Sequence, residues 1–178
     1  MLVKIKKQDI DLITCPDLSQ KCFEPLIDFY KSGISNETNF TQFKEQFYER
    51  LSEGQKALFI FHTYYSHASK SLIEFYWWSV YYYAQPKSWL ALKASTRYFK
   101  DEPMLLLFEK IELALKQSNH PNTLEDFTVT REDLDKNIEL KASISSLHVI
   151  FENTTPLTIR KINNNIEKNI QEFVEIID

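Results

Sequence analysis

Glycine is scarce in this chain, which contains only Gly33 and Gly54 among its 178 residues. Ordinary usage of about 7% would give roughly a dozen glycines in a chain of this length. Glycine supplies the positive φ angles of phosphate-binding loops, dinucleotide-binding turns and most tight hairpins. Because no glycine follows Gly54, the sequence excludes a P-loop, a Rossmann fingerprint and a glycine-flanked nucleophile, and it disfavours a turn-rich β-sandwich.

Cysteine is just as rare, since Cys15 and Cys22 are the only two. There is no second pair of cysteines to complete a zinc site, and so few cysteines are typical of a reduced, intracellular protein. A nucleophilic cysteine would need a histidine close by, and nothing in the spacing places one there. We therefore expect no metal site, no cofactor and no catalytic cysteine.

Long apolar runs are missing as well. The most apolar segment, Leu72 to Ala84, contains Glu74 and is thirteen residues long, whereas a helix that spans a bilayer needs about twenty. The basic residues near Met1 are not followed by the apolar stretch of a secretory signal. We expect a cytoplasmic protein without a membrane segment.

The residues that are present suit a folded domain. Hydrophobic residues make up 43% of the chain and aromatic residues 14%, and a chain of this length buries roughly 70% of its unfolded surface. No repeat, linker or low-complexity segment interrupts it. The sequence predicts one all-α domain over residues 1–178, built as a compact bundle of seven or eight helices.

Periodicity and capping residues set the helix boundaries. Ser52 and Gln55 form a capping-box pattern, Gly33 is expected to end the first helix in the left-handed conformation, and Asp101 is expected to cap a later one. Thr155 and Pro156 predict the start of a separate final helix that carries an apolar stripe as far as Phe173. The first predicted helix ends near Lys31 and either starts near Phe23 or is kinked at Pro25. The others cover residues 39–51, 52–68, 71–84, a segment that starts at Pro86, 102–116, 131–151 and the final segment from Pro156.

The charges are unevenly distributed although the net charge is only -4. Residues 51–100 hold six basic and two acidic side chains, whereas residues 101–178 hold eight basic and fifteen acidic ones. Within the acidic part, Glu132, Asp135 and Glu139 have the spacing of one helical face that could bind a basic partner. Four cations around residues 87–100 are too few to predict nucleic-acid binding.

The aromatic helix offers two alternatives to simple core packing. Tyrosine and tryptophan dominate interface hot spots, so Trp77, Tyr81 and Tyr82 are candidates for binding a protein partner. An aromatic helix can also line a ligand pocket. In that version His67, Glu74 and Trp78 supply the polar chemistry of a small-molecule site or an enzyme.

The order of several segments resembles the bacterial DNA-mimic-protein domain family over roughly residues 45–175. The matching segments run from Leu51 to Leu58, from Ile73 to Trp78, from Trp89 to Lys93, from Leu105 to Ile111 and from Ile166 to Val174. The family's Asn-Gly-Gly turn is replaced here by Ser69-Lys70-Ser71. The resemblance implies an all-helical, non-enzymatic protein; one studied member binds a transcription factor through acidic side chains.

These observations predict a regulatory, non-enzymatic protein that acts through protein–protein interaction. The partner is another protein of unknown identity, with a second copy of this chain as one option, and neither nucleic acid nor membrane is expected to bind. The alternative is a small-molecule-binding or enzymatic helical bundle with an aromatic-lined pocket.

Overall fold

A computed structural model describes residues 3–6, 17–36 and 40–177 of the chain. Within these ranges the fold is almost entirely helical, which confirms the predicted fold class. The helices are α1 (Leu18–Asn36), α2 (Phe40–Glu49), α3 (Glu53–Ala68), α4 (Leu72–Tyr83), α5 (Pro86–Tyr98), α6 (Glu102–Gln117), α7 (Asp133–Lys136) and α8 (Ile138–Lys168). A single 3₁₀ turn, Ile170–Glu172, follows α8.

Helix α3 lies at the centre of the arrangement, against α1, α4 and α5, while α8 packs along α6 and also contacts α1 and α4. The interior is strongly aromatic. Tyr64 of α3 is fully buried and meets the rings of Tyr82, Phe108 and Phe151 edge-on at centroid distances of 5.3, 5.4 and 6.1 Å. Its hydroxyl is 2.7 Å from that of Ser79, so the polar end of this buried ring is satisfied.

Local signals located several helix ends correctly. Ser52 caps α3 in a complete capping box with Gln55. The hydroxyl of Ser71 accepts a hydrogen bond from the amide of Glu74 at the start of α4. Pro86 is the first residue of α5, where its missing N–H costs nothing. Each signal acts within one helical turn of the boundary it sets, so no tertiary information is needed to locate it.

Gly33 does not end α1, contrary to the sequence prediction. The helix continues to Asn36 through Pro25 and Gly33, and no described glycine has a positive φ. The glycine is needed for space instead, because a Cβ added there would lie 2.0 Å from the Phe43 ring of α2. Residues 37–39, including the predicted helix start at Asn39, lie outside the described ranges.

The predicted division after residue 130, into a helix over 131–151 and a separate helix from Pro156, is also wrong. A single turn, α7, is followed by the 31-residue helix α8, which runs through Pro156 without ending. The break lies at Asn137, whose side-chain oxygen accepts from the amide of Leu140 and caps α8. Pro156 is exposed while the next turn is anchored by buried Thr158. Tertiary packing of the helix therefore outweighs the local effect of the proline.

Asp101 occupies the cap position of α6 but makes no capping hydrogen bond with its side chain. Its carboxylate is 1% exposed and accepts hydrogen bonds from Thr158 at 2.5 Å and Lys161 at 2.7 Å on α8. The residue predicted as a local cap thus joins two distant helices.

The end of the chain is not a continuation of the last helix, as the apolar stripe had suggested. Ile170 lies in the 3₁₀ turn, and β2 (Val174–Ile177) pairs in parallel with β1 (Val3–Lys6), with Val3 opposite Val174. The carbonyl of Phe173 accepts a hydrogen bond from the Gln55 side chain at 2.8 Å, and that of Glu172 accepts one from Ser52. The capping box of α3 therefore also holds the C-terminal segment in place.

None of the described helices combines the length and the apolarity that crossing a membrane requires. Of the two cysteines, Cys22 is a free thiol buried in the core, where burial raises its pKa to about 12, and Cys15 lies outside the described residues. A thiol with so high a pKa is almost wholly protonated at neutral pH and is a poor nucleophile.

Candidate functional site

The outer face of α4 is covered by the loop between α6 and α7. Trp77 and Tyr81 stack face to face at 5.1 Å, and Phe127 of the loop stands perpendicular to both at 5.8 and 5.6 Å. The indole N–H of Trp77 donates to the carbonyl of Val129 at 3.1 Å. Two of the aromatic residues predicted to face a partner are therefore partly covered by the chain itself.

The third member of that predicted surface is inside the protein. Tyr82 is only 5% exposed and its pKa is raised by burial. Its neighbour Tyr83 is also buried, and its ring meets Trp89 edge-on at 6.2 Å. Periodicity alone could not separate these positions, because α4 is apolar on nearly every side.

Arg131 fastens the loop to α4. Its Nε and a terminal nitrogen donate to the two carboxylate oxygens of Glu74 at 2.5 and 3.0 Å, and its guanidinium lies 4.5 Å from the ring centroid of Trp77. The hydrogen bonds from Arg131 lower the pKa of Glu74. This carboxylate is ionised at neutral pH and is held on both oxygens.

The residues of the predicted pocket do lie together, but they pack against one another. The ring of His67 stacks on Trp78 at 3.8 Å, and the Trp78 indole donates to Glu74 at 3.0 Å. Burial and Lys70 lower the pKa of His67, outweighing the attraction of Glu74. A neutral, stacked imidazole beside a carboxylate saturated by Arg131 is an arrangement that stabilises structure more readily than it transfers protons.

The predicted acidic residues are all exposed but do not share a helical face. Glu132 precedes α7, Asp135 belongs to it and Glu139 lies in the first turn of α8, so the break at Asn137 separates them. Asp135 pairs with Lys141 at 2.7 Å. Glu132 and Glu139 have no ion-pair partner among the residues that the structure describes.

Ile138 lies between Asp135 and Glu139 in the chain and is 83% exposed, more than any other large hydrophobic residue described. The predicted helix over residues 131–151 would place Ile138 on its apolar side; this prediction is wrong, because α8 begins at this residue. Asn137 was the available signal, since asparagine before an apolar run is a typical N-cap. We name Glu132, Asp135, Ile138 and Glu139 the α7–α8 corner.

The basic face predicted on α5 is partly neutralised by α6. Lys93 lies 2.5 Å from Glu112, and Arg97 lies 4.0 Å from Glu109. Although burial alone would raise it, hydrogen bonds from Lys116, Lys93 and Trp89 bring the pKa of Glu112 down to about 2. These pairings engage Lys93 and Arg97, whereas Lys87 and Lys100 have no ion-pair partner among the described residues.

Among the described residues, no three histidine, cysteine, aspartate or glutamate side chains come together as metal ligands would. Comparison of the chain with protein-family models, curated proteins and solved structures finds no match. The resemblance to the DNA-mimic-protein domain family therefore stays a prediction.

Proposed function

We propose that this is a non-enzymatic, intracellular protein that acts by binding a basic protein partner through the α7–α8 corner. The proposal depends on one observation above all, the 83% exposure of Ile138 in a stretch of the chain rich in carboxylates. An exposed apolar side chain is stabilised when a partner covers it and removes its surface from water. Ile138 is the first residue of the 31-residue helix α8.

The charge around Ile138 favours a basic partner over other kinds. Residues 125–139 hold six acidic and two basic side chains, and both cations are paired, Arg131 with Glu74 and Lys136 with Asp133 at 2.6 Å. Carboxylates around an apolar centre accelerate encounter with a positively charged surface and reject negatively charged ones.

The same charge disfavours a second copy of this chain as the partner. In a symmetric dimer the same patch of each copy faces its counterpart. Two corners placed against each other would bring Glu132 and Glu139 close to identical carboxylates. A different protein with an apolar pocket rimmed by lysine or arginine is the better match.

The pocket alternative at His67, Glu74 and Trp78 receives less support. Both oxygens of Glu74 are held by Arg131 and one also accepts from Trp78, while the His67 ring is stacked on Trp78. Little of either polar group is left to hold a substrate. We assign this cluster to anchoring the loop on α4.

In the test, Ile138 is first replaced by a photo-crosslinking residue. Irradiation of the source cells that contain this variant then identifies the protein that contacts position 138. The purified partner is then titrated with the wild type and with Ile138→Ser, which we expect to weaken binding by at least about tenfold. Leu157→Ser is the matched control, because Leu157 is 54% exposed on the same helix but far from the corner. Equal affinities for the wild type and Ile138→Ser would contradict the proposal.

Charge is tested separately with the double variant Glu132→Lys, Glu139→Lys. We expect slower association with the partner and a weaker dependence of its rate on salt. Glu102→Lys, Glu167→Lys makes the same change of net charge at exposed positions elsewhere. If both double variants slow association equally, only net charge matters and the corner is not the binding site.

A further inference from the structure

A groove with small residues along one wall runs between α2, α3 and α5. One section, with a volume of about 360 Å³, is lined by Tyr48, Ile60 and Ala91 together with Lys44, Glu45 and Lys87. A second section, of about 400 Å³, shares Tyr48, Ile60 and Ala91 and continues to Ala94, Ser95 and Tyr98. The shared residues make the two sections one continuous groove, which we call the α5 groove.

Small side chains keep the α5 groove open. Ala91, Ala94 and Ser95 recur at three- and four-residue steps on α5, and Ala57 faces them from α3. A leucine at any of these positions would occupy the space. From Lys87 to Tyr98 the helix rises about 16 Å, and cavities that hold small ligands are of the order of 300–1,000 Å³.

The charges in the groove are placed asymmetrically. Lys44 and Lys87 line the first section but not the second, and neither has an ion-pair partner in the part of the chain that the structure describes. Lys56, in the second section, is already paired with Glu53 at 2.7 Å. The free positive charge therefore lies at one end of a mainly apolar channel.

We infer that the α5 groove binds an amphipathic monoanion, an alkyl chain ending in a carboxylate, with the chain on Ile60, Ala91 and Ala94 and the head group between Lys44 and Lys87. Burial of the alkyl chain supplies most of the affinity. The two lysines favour a negatively charged head group and determine which end of the ligand lies beside them.

Two neighbours narrow the chemistry of the head group. Glu45 lines the same section as the two lysines, and its negative charge opposes a dianion such as a phosphate monoester more strongly than a single carboxylate. Tyr48 lines the same section, and burial raises the pKa of its hydroxyl, so this residue adds no negative charge there. The site thus fits a singly charged head.

The inference is tested by titrating the purified protein with dodecanoate, monitored by calorimetry. We expect saturable binding of one molecule, and weaker binding of dodecyl phosphate and dodecyltrimethylammonium. Absence of saturable dodecanoate binding, or equal binding of the cationic amphiphile, would overturn the inference.

Variants then test whether the ligand binds in the α5 groove. Ala94→Leu should weaken dodecanoate binding by at least about tenfold, because it fills the channel from an exposed position that leaves folding intact. Ala142→Leu, at an exposed alanine of α8, is the control and should bind as the wild type does. Unchanged binding by Ala94→Leu would overturn the inference.

The head-group assignment has its own variant, Lys44→Gln, Lys87→Gln. It should weaken dodecanoate binding and leave binding of uncharged dodecanol unchanged, whereas Lys110→Gln should alter neither. Equal loss of both ligands would overturn the role given to the lysines. If Ala94→Leu instead dissociates a dimer in sedimentation analysis, the groove is an interface between copies and the inference is wrong.

Discussion

The carboxylate of Asp101 lies 2.7 Å from the ammonium group of Lys161, across the contact between α6 and α8. The two groups differ sharply in exposure, because the Asp101 side chain is 1% exposed and that of Lys161 is 38% exposed. If the lysine is removed, the buried carboxylate keeps only the hydroxyl of Thr158 as a hydrogen-bond partner among the described residues. A buried charge left without its counter-ion is costly, whereas an exposed one is readily hydrated.

We therefore expect Lys161→Met to lower the free energy of unfolding by about 2 kcal/mol, below the 3–5 kcal/mol of fully buried pairs because Lys161 is partly exposed. Urea denaturation at neutral pH measures the change. Lys141→Met is the control, because its pair with Asp135 is exposed on both sides and should contribute less than about 0.5 kcal/mol. Equal losses for the two variants would show that burial of Asp101 does not govern the cost.

His62 makes stability depend on pH. It is 2% exposed, its ring stacks on Phe23 at 5.1 Å, and burial lowers its pKa to about 4. Between pH 6.5 and pH 4 the unfolded chain binds a proton at this histidine and the folded chain does not, so stability falls as the pH is lowered. Each pH unit costs up to about 1.4 kcal/mol, or on the order of 3 kcal/mol across the window.

The measurement is urea denaturation at several pH values between 4 and 6.5 for the wild type and for His62→Phe. For His62→Phe we expect a shallower decrease of stability with falling pH, by the equivalent of up to one bound proton. The remaining pH dependence comes from groups such as His120, whose pKa is also lowered by burial. A variant with the same pH dependence as the wild type would mean that His62 is not the titrating group.

Pro156 is predicted to be destabilising where it stands. It cannot donate to the carbonyl of Glu152, four residues earlier in α8, and an interior proline costs about 3 kcal/mol relative to alanine. Pro156→Ala should raise the free energy of unfolding by about 1–3 kcal/mol, measured by urea denaturation. Pro103→Ala, in the first turn of α6, should change it by less than about 0.5 kcal/mol. A lower free energy of unfolding for Pro156→Ala would contradict this prediction and show that the proline helps α8 to pack.

For Gly54→Ala we predict a loss of stability, although helix propensity alone predicts a gain. In an open helix, glycine to alanine stabilises by up to about 1 kcal/mol. Here the new Cβ would lie 2.9 Å from both the Phe173 ring and the Tyr98 hydroxyl, and the Phe173 side chain is fully buried. Gly54→Ala should therefore lower the melting temperature, and adding Phe173→Leu should recover part of the loss. A higher melting temperature for Gly54→Ala would contradict this geometry.

Much of the fold could be predicted from the sequence, because the relevant signals are local. The capping box at Ser52, the cap at Ser71 and the proline at the start of α5 each act within one turn of the boundary they set. The errors arose where a distant contact overrides a local preference. Packing keeps α8 helical through Pro156. The Asp101 side chain accepts hydrogen bonds from Thr158 and Lys161 instead of capping its own helix.

The candidate sites were only partly predictable for a related reason. The carboxylates at 132, 135 and 139 are exposed, as their type suggests, but the exposure of Ile138 depends on where α8 begins. Tyr82 and Trp77 both lie in a strongly aromatic segment, so the sequence does not show which of the two is buried. Their different burial depends on which helices and loops pack against α4. The α5 groove depends on three helices at once, so no single segment contains its signal.

The parallel pairing of Val3 with Val174 joins positions separated by almost the whole length of the chain. The entropy of closing so long a loop has to be met before this contact contributes anything, and contacts of high sequence separation slow folding. Two four-residue strands cannot nucleate such a closure by themselves. The helices must therefore assemble first, and the pairing of the two strands follows as a late event in folding kinetics.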